Sequence, residues 1–330
     1  MTETPGPTGA SGFDEDYRSL RHDVGVAPTG RDFLRVSGPD AVEYLQGQLS
    51  QDVAALEVGG SADSLILTPQ GKLDALVRVS RTGPDELVVD VDTGFGAAVA
   101  ARLARFKLRV KVDIAPLAWR VVALRGPRAA AVAAQARVGA GTALAPAFSW
   151  NGVSGVDLLG EAPEVDGVQV CSAQAWEAVR VEAGIPVMGA ELDDRTIAAE
   201  ADLLDRAVSF TKGCYTGQEL VARLDSRGNR VARHLRGVVV GHPTRHSIGA
   251  PEPEGVAPGS DIVVDGKVVG SVTSSAWSPQ LGCPVALAYV HRAVEPPSAV
   301  ELHSAGVVGG PDDAAGATVW TAEVRTLPLV

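Results

Sequence analysis

The spacing of apolar residues switches repeatedly between a period of two and a helical period along the first half of the chain. Asp32-Phe33-Leu34-Arg35-Val36-Ser37 alternates and predicts a strand. Gly38-Pro39-Asp40 follows, with proline suited to a first helical turn. Ala41, Val42, Tyr44, Leu45 and Leu49 then recur at helical spacing. Strands are predicted over 64–68 and 75–79, joined through Pro69-Gln70-Gly71-Lys72, and over 87–91 after the turn Gly83-Pro84-Asp85. An Ala-rich helix is expected over 94–106, strands over 109–112 and 119–124, and a second Ala-rich helix from Gly126-Pro127 to about residue 138. Strand–helix–strand–strand units with short connections predict an α+β fold with ferredoxin-like lobes.

The second half changes character. Residues 173–183 carry Trp176, Val179 and Ala183 along one helical side, and Gly184 with Pro186 stops that helix. A short helix is expected near 200–204. Beyond Val240 a Pro- and Gly-rich linker is expected over 242–259, then a hairpin through Asp265-Gly266. Strands over 272–277, 285–290 and 318–325 complete a small β module, with a Gly-, Ala- and Asp-rich loop over 304–316. The division read from this is a disordered tail over 1–20, a two-lobed α+β region over 21–240 and a β-barrel domain over 241–330.

Composition narrows the class. The chain has 330 residues, 45% apolar and 21% charged, which fits globular domains. No apolar run reaches the roughly 18 residues that span a bilayer, and the start MTETPGPTGASGFDEDY lacks a basic, apolar leader. Cys171, Cys214 and Cys283 are far apart, with no C-x-x-C pair, so no metal site is expected. Reduced thiols without a leader point to a cytoplasmic protein. A net charge of −11 argues against direct nucleic-acid binding. The exception is local: six Lys/Arg against two acids between Lys212 and Arg236, read either as a solvated basic face or as a bay for an anion.

The densest chemistry lies in Lys212-Gly213-Cys214-Tyr215-Thr216-Gly217-Gln218-Glu219. Thr216 and Glu219 have capping-box spacing, so a helix is expected from Thr216 toward Gly228. Cys214 would then precede a positive helix end beside Lys212, and both favour a thiolate. Glu219 and Arg223 are spaced for an i,i+4 ion pair. Tyr215 is either a stacking ring or core, and Gln218 is expected to face a cavity. A thiol hydrolase at Cys214 would need a base, but the motif holds no histidine, and His234 is expected far along a following helix.

This motif resembles the signature of the folate-binding YgfZ-type proteins, relatives of the glycine-cleavage T-protein (aminomethyltransferase). The resemblance extends to Leu45-Gln46-Gly47-Gln48-Leu49, to Glu182-Ala183-Gly184, to 203–210 and to Ala286-Leu287-Ala288-Tyr289-Val290. It implies a T-protein-like folate-binding core with a C-terminal β-barrel, and tetrahydrofolate or a derivative as cofactor. It further implies support of iron–sulfur cluster assembly or repair in client enzymes, tRNA-modifying ones included, with Cys214 and Lys212 as the reactive groups. Glu182, Tyr215, Gln218, Glu219 and Arg223 are the expected folate ligands. Glu182 leads, because one carboxylate can accept the paired N–H groups of a pterin. The alternative is a tetrahydrofolate-dependent aminomethyltransferase. Its Gly-Gly-x-x-Asp-Asp pattern falls here on Gly71-Lys72-Leu73-Asp74-Ala75-Leu76, where both acidic positions are lost and Asp74 comes one place early. A one-residue slip in a strand faces the opposite side.

Overall fold

The computed structural model describes residues 10–135, 141–245, 256–304 and 318–330. Two antiparallel sheets form the core. The first holds β2 (Arg31–Ser37), β3 (Ser61–Leu67), β4 (Leu73–Gly83), β5 (Glu86–Asp92) and β6 (Asp113–Leu117) in the order β3-β4-β5-β2-β6. The second holds β1 (Gly25–Ala27), β7 (Arg120–Arg125), β8 (Ala147–Trp150) and β9 (Val153–Gly160) in the order β1-β7-β9-β8. Helices α2 (Ala41–Gln48) and α3 (Gly96–Arg105) pack on the first sheet, burying Ala41, Tyr44 and Leu45 from one and Val99 and Leu103 from the other. Helix α4 (Ala129–Gln135) packs on the second.

The third body is a closed barrel in the order β10-β13-β12-β11-β14-β15. Its strands are β10 (Arg233–Arg245), β11 (Asp261–Val264), β12 (Lys267–Ser278), β13 (Cys283–His291), β14 (Ser298–His303) and β15 (Val319–Arg325). Closure leaves no strand edge open to pairing. Asp265 and Gly266, at φ 50° and 71°, make the tight hairpin turn that Asp-Gly predicts.

Several elements differ from expectation. Residues 10–20, assigned to the tail, fall in helix α1 (Ala10–His22), held by burial of Tyr17 and Leu20; residues 1–9 lie outside the described ones. The strand expected over 109–112 is instead β6, shifted to Asp113–Leu117. Strands β8, β9 and β14 were not foreseen. The linker expected over 242–259 begins as strand β10, and its 246–255 portion lies outside the described residues, as does most of the 304–316 loop. His234 sits on strand β10, not on a helix.

Helix α5 (Ala173–Ala183) stands at the centre. Ser172 caps its N-terminus by accepting from the Ala175 amide, and Gly184 ends it in the left-handed region at φ 70°. Tyr17 and Arg21 of α1 reach one side of it, and the barrel reaches the same side through Ser278.

Candidate functional site

A cavity of about 390 Å³ opens between the two sheets and the far side of α5. Phe148, Trp150 and Trp176 give it aromatic walls. Five guanidiniums line it, from Arg31, Arg78, Arg125, Arg180 and Arg206. Asp63, Asp92, Asp157 and Glu177 line it as well, and Asp90 and Glu191 bond those guanidiniums from behind. The two carboxylates behind the wall offset most of the positive charge that the lining itself presents.

The charges are arranged as a relay across the two sheets. Arg31 bonds Asp90 and Asp92. Arg78, on β4, bonds Asp90 beside it and crosses to Asp157 of β9 at 2.6 Å. Asp157 also takes Arg125 of β7 at 2.6 Å. Burial works against each of these charges, and the partners decide the outcome. Burial would raise the Asp157 carboxyl, but Arg125 and Arg78 hold it down at about 2. Arg78 is disfavoured by burial yet pushed above its usual range by Asp90 and Asp157. Arg125 ends below its usual range, because burial and the nearby Arg78 charge outweigh its share of Asp157.

Arg125 is the least satisfied member. Its plane lies over the Phe148 ring at 3.8 Å and near Trp176 at 5.6 Å. Both of its hydrogen bonds among the described residues leave from Nη1, to Asp157 and to the Leu124 carbonyl. Its buried Nε–H has no partner. Arg206 covers Trp150 at 3.9 Å and bonds Asp63. Arg180 is spent on Glu177, Glu191 and the Ile185 carbonyl.

Glu182 does not face this cavity. Residues advance 100° per position around a helix, so Glu182 lies about 200° from Arg180. Its carboxylate is fully buried and accepts from Tyr17, Arg21 and Ser278. Those three donors tie it to the junction of α1, α5 and the barrel. The cavity face of α5 is Trp176, Glu177 and Arg180. Arg180 lies at i+4 from Trp176 and i+3 from Glu177, a spacing visible in the sequence.

The signature folds elsewhere. Its helix α6 runs Gln218–Asp225 with Gly217 as N-cap at φ 83° and no side-chain cap, so the capping box expected at Thr216 is not formed. The glycine is required by a close crossing: a Cβ on Gly217 would lie 2.6 Å from the Thr68 carbonyl, and one on Gly71 would lie 2.4 Å from Leu220 Cβ. Lys212 is buried, and its Nζ donates to the carbonyls of Gln46, Leu49 and Gln51 at 2.6–2.8 Å. Those bonds staple the loop to the end of α2 and use all three ammonium protons, so Lys212 is not a free partner for Cys214. Burial lowers it to about 8.

Tyr215 is buried in the main core, 5.1 Å from Lys212 Nζ, and burial pushes it up to about 12. Cys214 is exposed. Gln218 is half-buried, Glu219 and Arg223 are exposed, and no ion pair joins those last two. None of these residues lines the cavity. The basic stretch does not converge on one bay: Arg233 pairs with Glu200, while Arg223, Arg227 and Arg230 are exposed. Asp74 bonds Arg102 of α3 at 2.8 Å and lines a separate cavity of about 110 Å³. Among the described residues no group of three or more His, Cys, Asp or Glu is placed to hold a metal.

Two domain families match this chain. The GCVT N-terminal domain matches residues 9–150, and the glycine cleavage T-protein C-terminal barrel domain matches residues 229–324. An uncharacterised protein of Haemophilus influenzae is 26% identical over 62% of this chain and 69% of its own. An aminomethyltransferase of a Nostoc species is 27% identical over 86% of this chain and 81% of its own. A mitochondrial iron-sulfur cluster assembly factor IBA57 homolog of Neurospora crassa is 27% identical over 61% of this chain and 50% of its own. In fold, the chain is similar to the glycine cleavage system aminomethyltransferase T of Bartonella henselae. The TM-score is 0.75 at 22% identity, over 97% of this chain and 90% of that one.

Proposed function

The chain belongs to the glycine cleavage T-protein superfamily, and from that premise we propose that it is a folate-binding protein of YgfZ type. In this reading it holds tetrahydrofolate or a derivative and supports iron–sulfur cluster assembly or repair in client enzymes, tRNA-modifying ones among them. The observation that carries the folate half is the cavity between the sheets. It offers three aromatic rings for a planar heterocycle and carboxylates that can accept ring N–H groups. A bound reduced folate would supply ring nitrogen able to carry a one-carbon unit. The protein's own part is to bind and orient: Trp176 by stacking, Glu177 by accepting N–H donors, and the Arg–Asp relay by keeping both sheets in register.

The relative named as an iron-sulfur cluster assembly factor supports the second half. Cys214, with Gln218, Glu219 and Arg223 near it, would serve as a surface offered to clients rather than as a folate ligand. The thiol and the folate then act at separate places on one cytoplasmic protein. No helix of the described residues is long and apolar enough to cross a membrane.

The second reading, a tetrahydrofolate-dependent aminomethyltransferase, draws support from relatives of that name. Against it, Ala75 and Leu76 are apolar where acids are expected, and Asp74 is committed to Arg102. Calorimetric titration of the purified protein with tetrahydrofolate tests the folate reading. Saturable binding that weakens in Trp176→Ala is expected, and no binding would end the proposal.

A further inference from the structure

The most exposed large apolar side chain among the described residues is Leu108, at 76%. It stands in Arg105-Phe106-Lys107-Leu108-Arg109-Val110-Lys111, a stretch at the end of α3 with four cations and no acid. Arg105, Lys107, Arg109 and Lys111 are all exposed, and none has an ion-pair partner among the described residues. In a chain of net charge −11 this is a local reversal of sign around an apolar tip.

The turn is held in shape. The Phe106, Lys107 and Leu108 amides donate back to the Leu103, Ala104 and Phe106 carbonyls. Arg102 covers the Phe106 ring at 3.9 Å. Arg109 is left-handed at φ 58°, a conformation that costs any residue with a Cβ and that persists only where its surroundings fix it. The Lys111 amide donates to Asp40 at 2.6 Å, and Gly38 passes so near that a Cβ there would lie 2.3 Å from the Lys111 carbonyl. A surface fixed before binding loses less freedom when a partner arrives.

Helix α2 connects this turn to the signature loop. Asp40, at its N-terminus, holds Lys111, and the Tyr44 hydroxyl donates to the Leu103 carbonyl. At its C-terminal end the Gly47 carbonyl accepts from the Thr216 amide at 3.1 Å. Eight residues of helix span about 12 Å. A standard interface covers about 800 Å² on each partner, so one partner can meet both the turn and the exposed Cys214. Phe210, 47% exposed and four residues before Cys214, offers a second apolar contact at that end.

The chemistry of the partner follows from the tip. A phosphate backbone answers cations but gives Leu108 nothing to pack on. A bilayer would take Leu108, but a net charge of −11 opposes approach to an anionic membrane surface. An apolar anchor inside a charged rim is the arrangement of protein interfaces. Resting on the client reading above, we propose that the 105–111 turn docks an iron–sulfur client protein, which seats Leu108 in an apolar notch rimmed by Asp and Glu and so comes within reach of Cys214. Complementary charge of this kind speeds encounter and fixes register.

The test uses the full chain and, as probe, a purified iron–sulfur enzyme whose activity the wild-type chain restores in a complementation assay. Calorimetric titration should show binding that weakens as salt rises. Lys107→Glu with Arg109→Glu should weaken it by about tenfold or more and remove most of the salt dependence, and Leu108→Ala should weaken it about tenfold with the salt dependence kept. Leu108→Ala changes no charge and none of the turn's backbone bonds, so it decides the matter if the double reversal folds poorly. Tetrahydrofolate affinity should be unchanged in both. Client binding untouched by either change, with Cys214→Ser still lowering client activity, would overturn the docking surface and leave the client reading standing. The same losses measured on phosphatidylserine vesicles or on tRNA, with client binding unchanged, would give the turn to another partner and also overturn it. No client restored by wild type would remove the client reading, and this inference with it.

Discussion

Tyr17 and Glu182 lie 165 residues apart in sequence and are joined by a buried hydrogen bond of 2.8 Å. Arg21 and Ser278 bond the same carboxylate. Glu182 thereby ties α1, α5 and the barrel at one point, and Glu191 makes a second tie through Arg180, Thr273 and Ser274.

Glu182→Gln should therefore act on stability rather than on ligand affinity. It leaves the Arg21 guanidinium buried without its counter-charge, a change that costs about 3–5 kcal/mol in comparable buried pairs. Tyr17→Phe should cost about 1 kcal/mol, the net value of one hydrogen bond. Denaturant melts check both. Unchanged stability with a large loss of tetrahydrofolate affinity would return Glu182 to the binding site.

Lys212→Met should destabilise the signature loop, since it strands three carbonyls at the end of α2. Its pH dependence has a definite sign. Burial lowers Lys212 from 10.5 to about 8 in the folded protein, so between those values the unfolded chain binds more protons. Stability from this residue then rises with pH through that window and is lost as pH falls to 8. The gap in urea midpoint between wild type and Lys212→Met should widen from pH 8 to 10. A gap independent of pH would show that the three carbonyls hold the ammonium at its ordinary value.

Thiol labelling should rank by environment. Burial, with Asp16 adding, raises Cys171 to about 11, and burial raises Cys283 with Arg325 opposing. At pH 8 only about a thousandth of Cys171 is thiolate. Cys214 is exposed and should alkylate first, as mass-resolved labelling across a pH series would show. Cys214→Ser should keep folate affinity, because the residue lies outside the cavity, and should lower support of iron–sulfur clients in a complementation assay. Slow labelling of Cys214 together with full complementation would count it an ordinary cysteine.

A reconstituted glycine-cleavage assay should give no aminomethyl transfer. Ala75 and Leu76 supply no carboxylate, and Asp74 is held by Arg102. Robust turnover would favour the transferase reading.

Local pattern determined much of this protein. Period-two alternation marked β2, turn residues between apolar runs marked β3 to β5, Gly184 and Pro186 ended α5, and Asp-Gly set the barrel hairpin. The motif from Lys212 to Glu219 and its companions pointed to the family. These are properties of neighbouring residues, and short-range physics suffices to read them. What a side chain faces is a different matter. Glu182 and Trp176 share one helix, yet one is enclosed by α1 and the barrel while the other walls the cavity. Lys212 and Cys214 are two residues apart, yet one is buried against α2 and the other open to solvent. The Arg31–Asp90–Arg78–Asp157–Arg125 relay joins strands from two sheets, and no local spacing announces it. Only tertiary packing decides which polar groups lose water together, and that loss sets their partners.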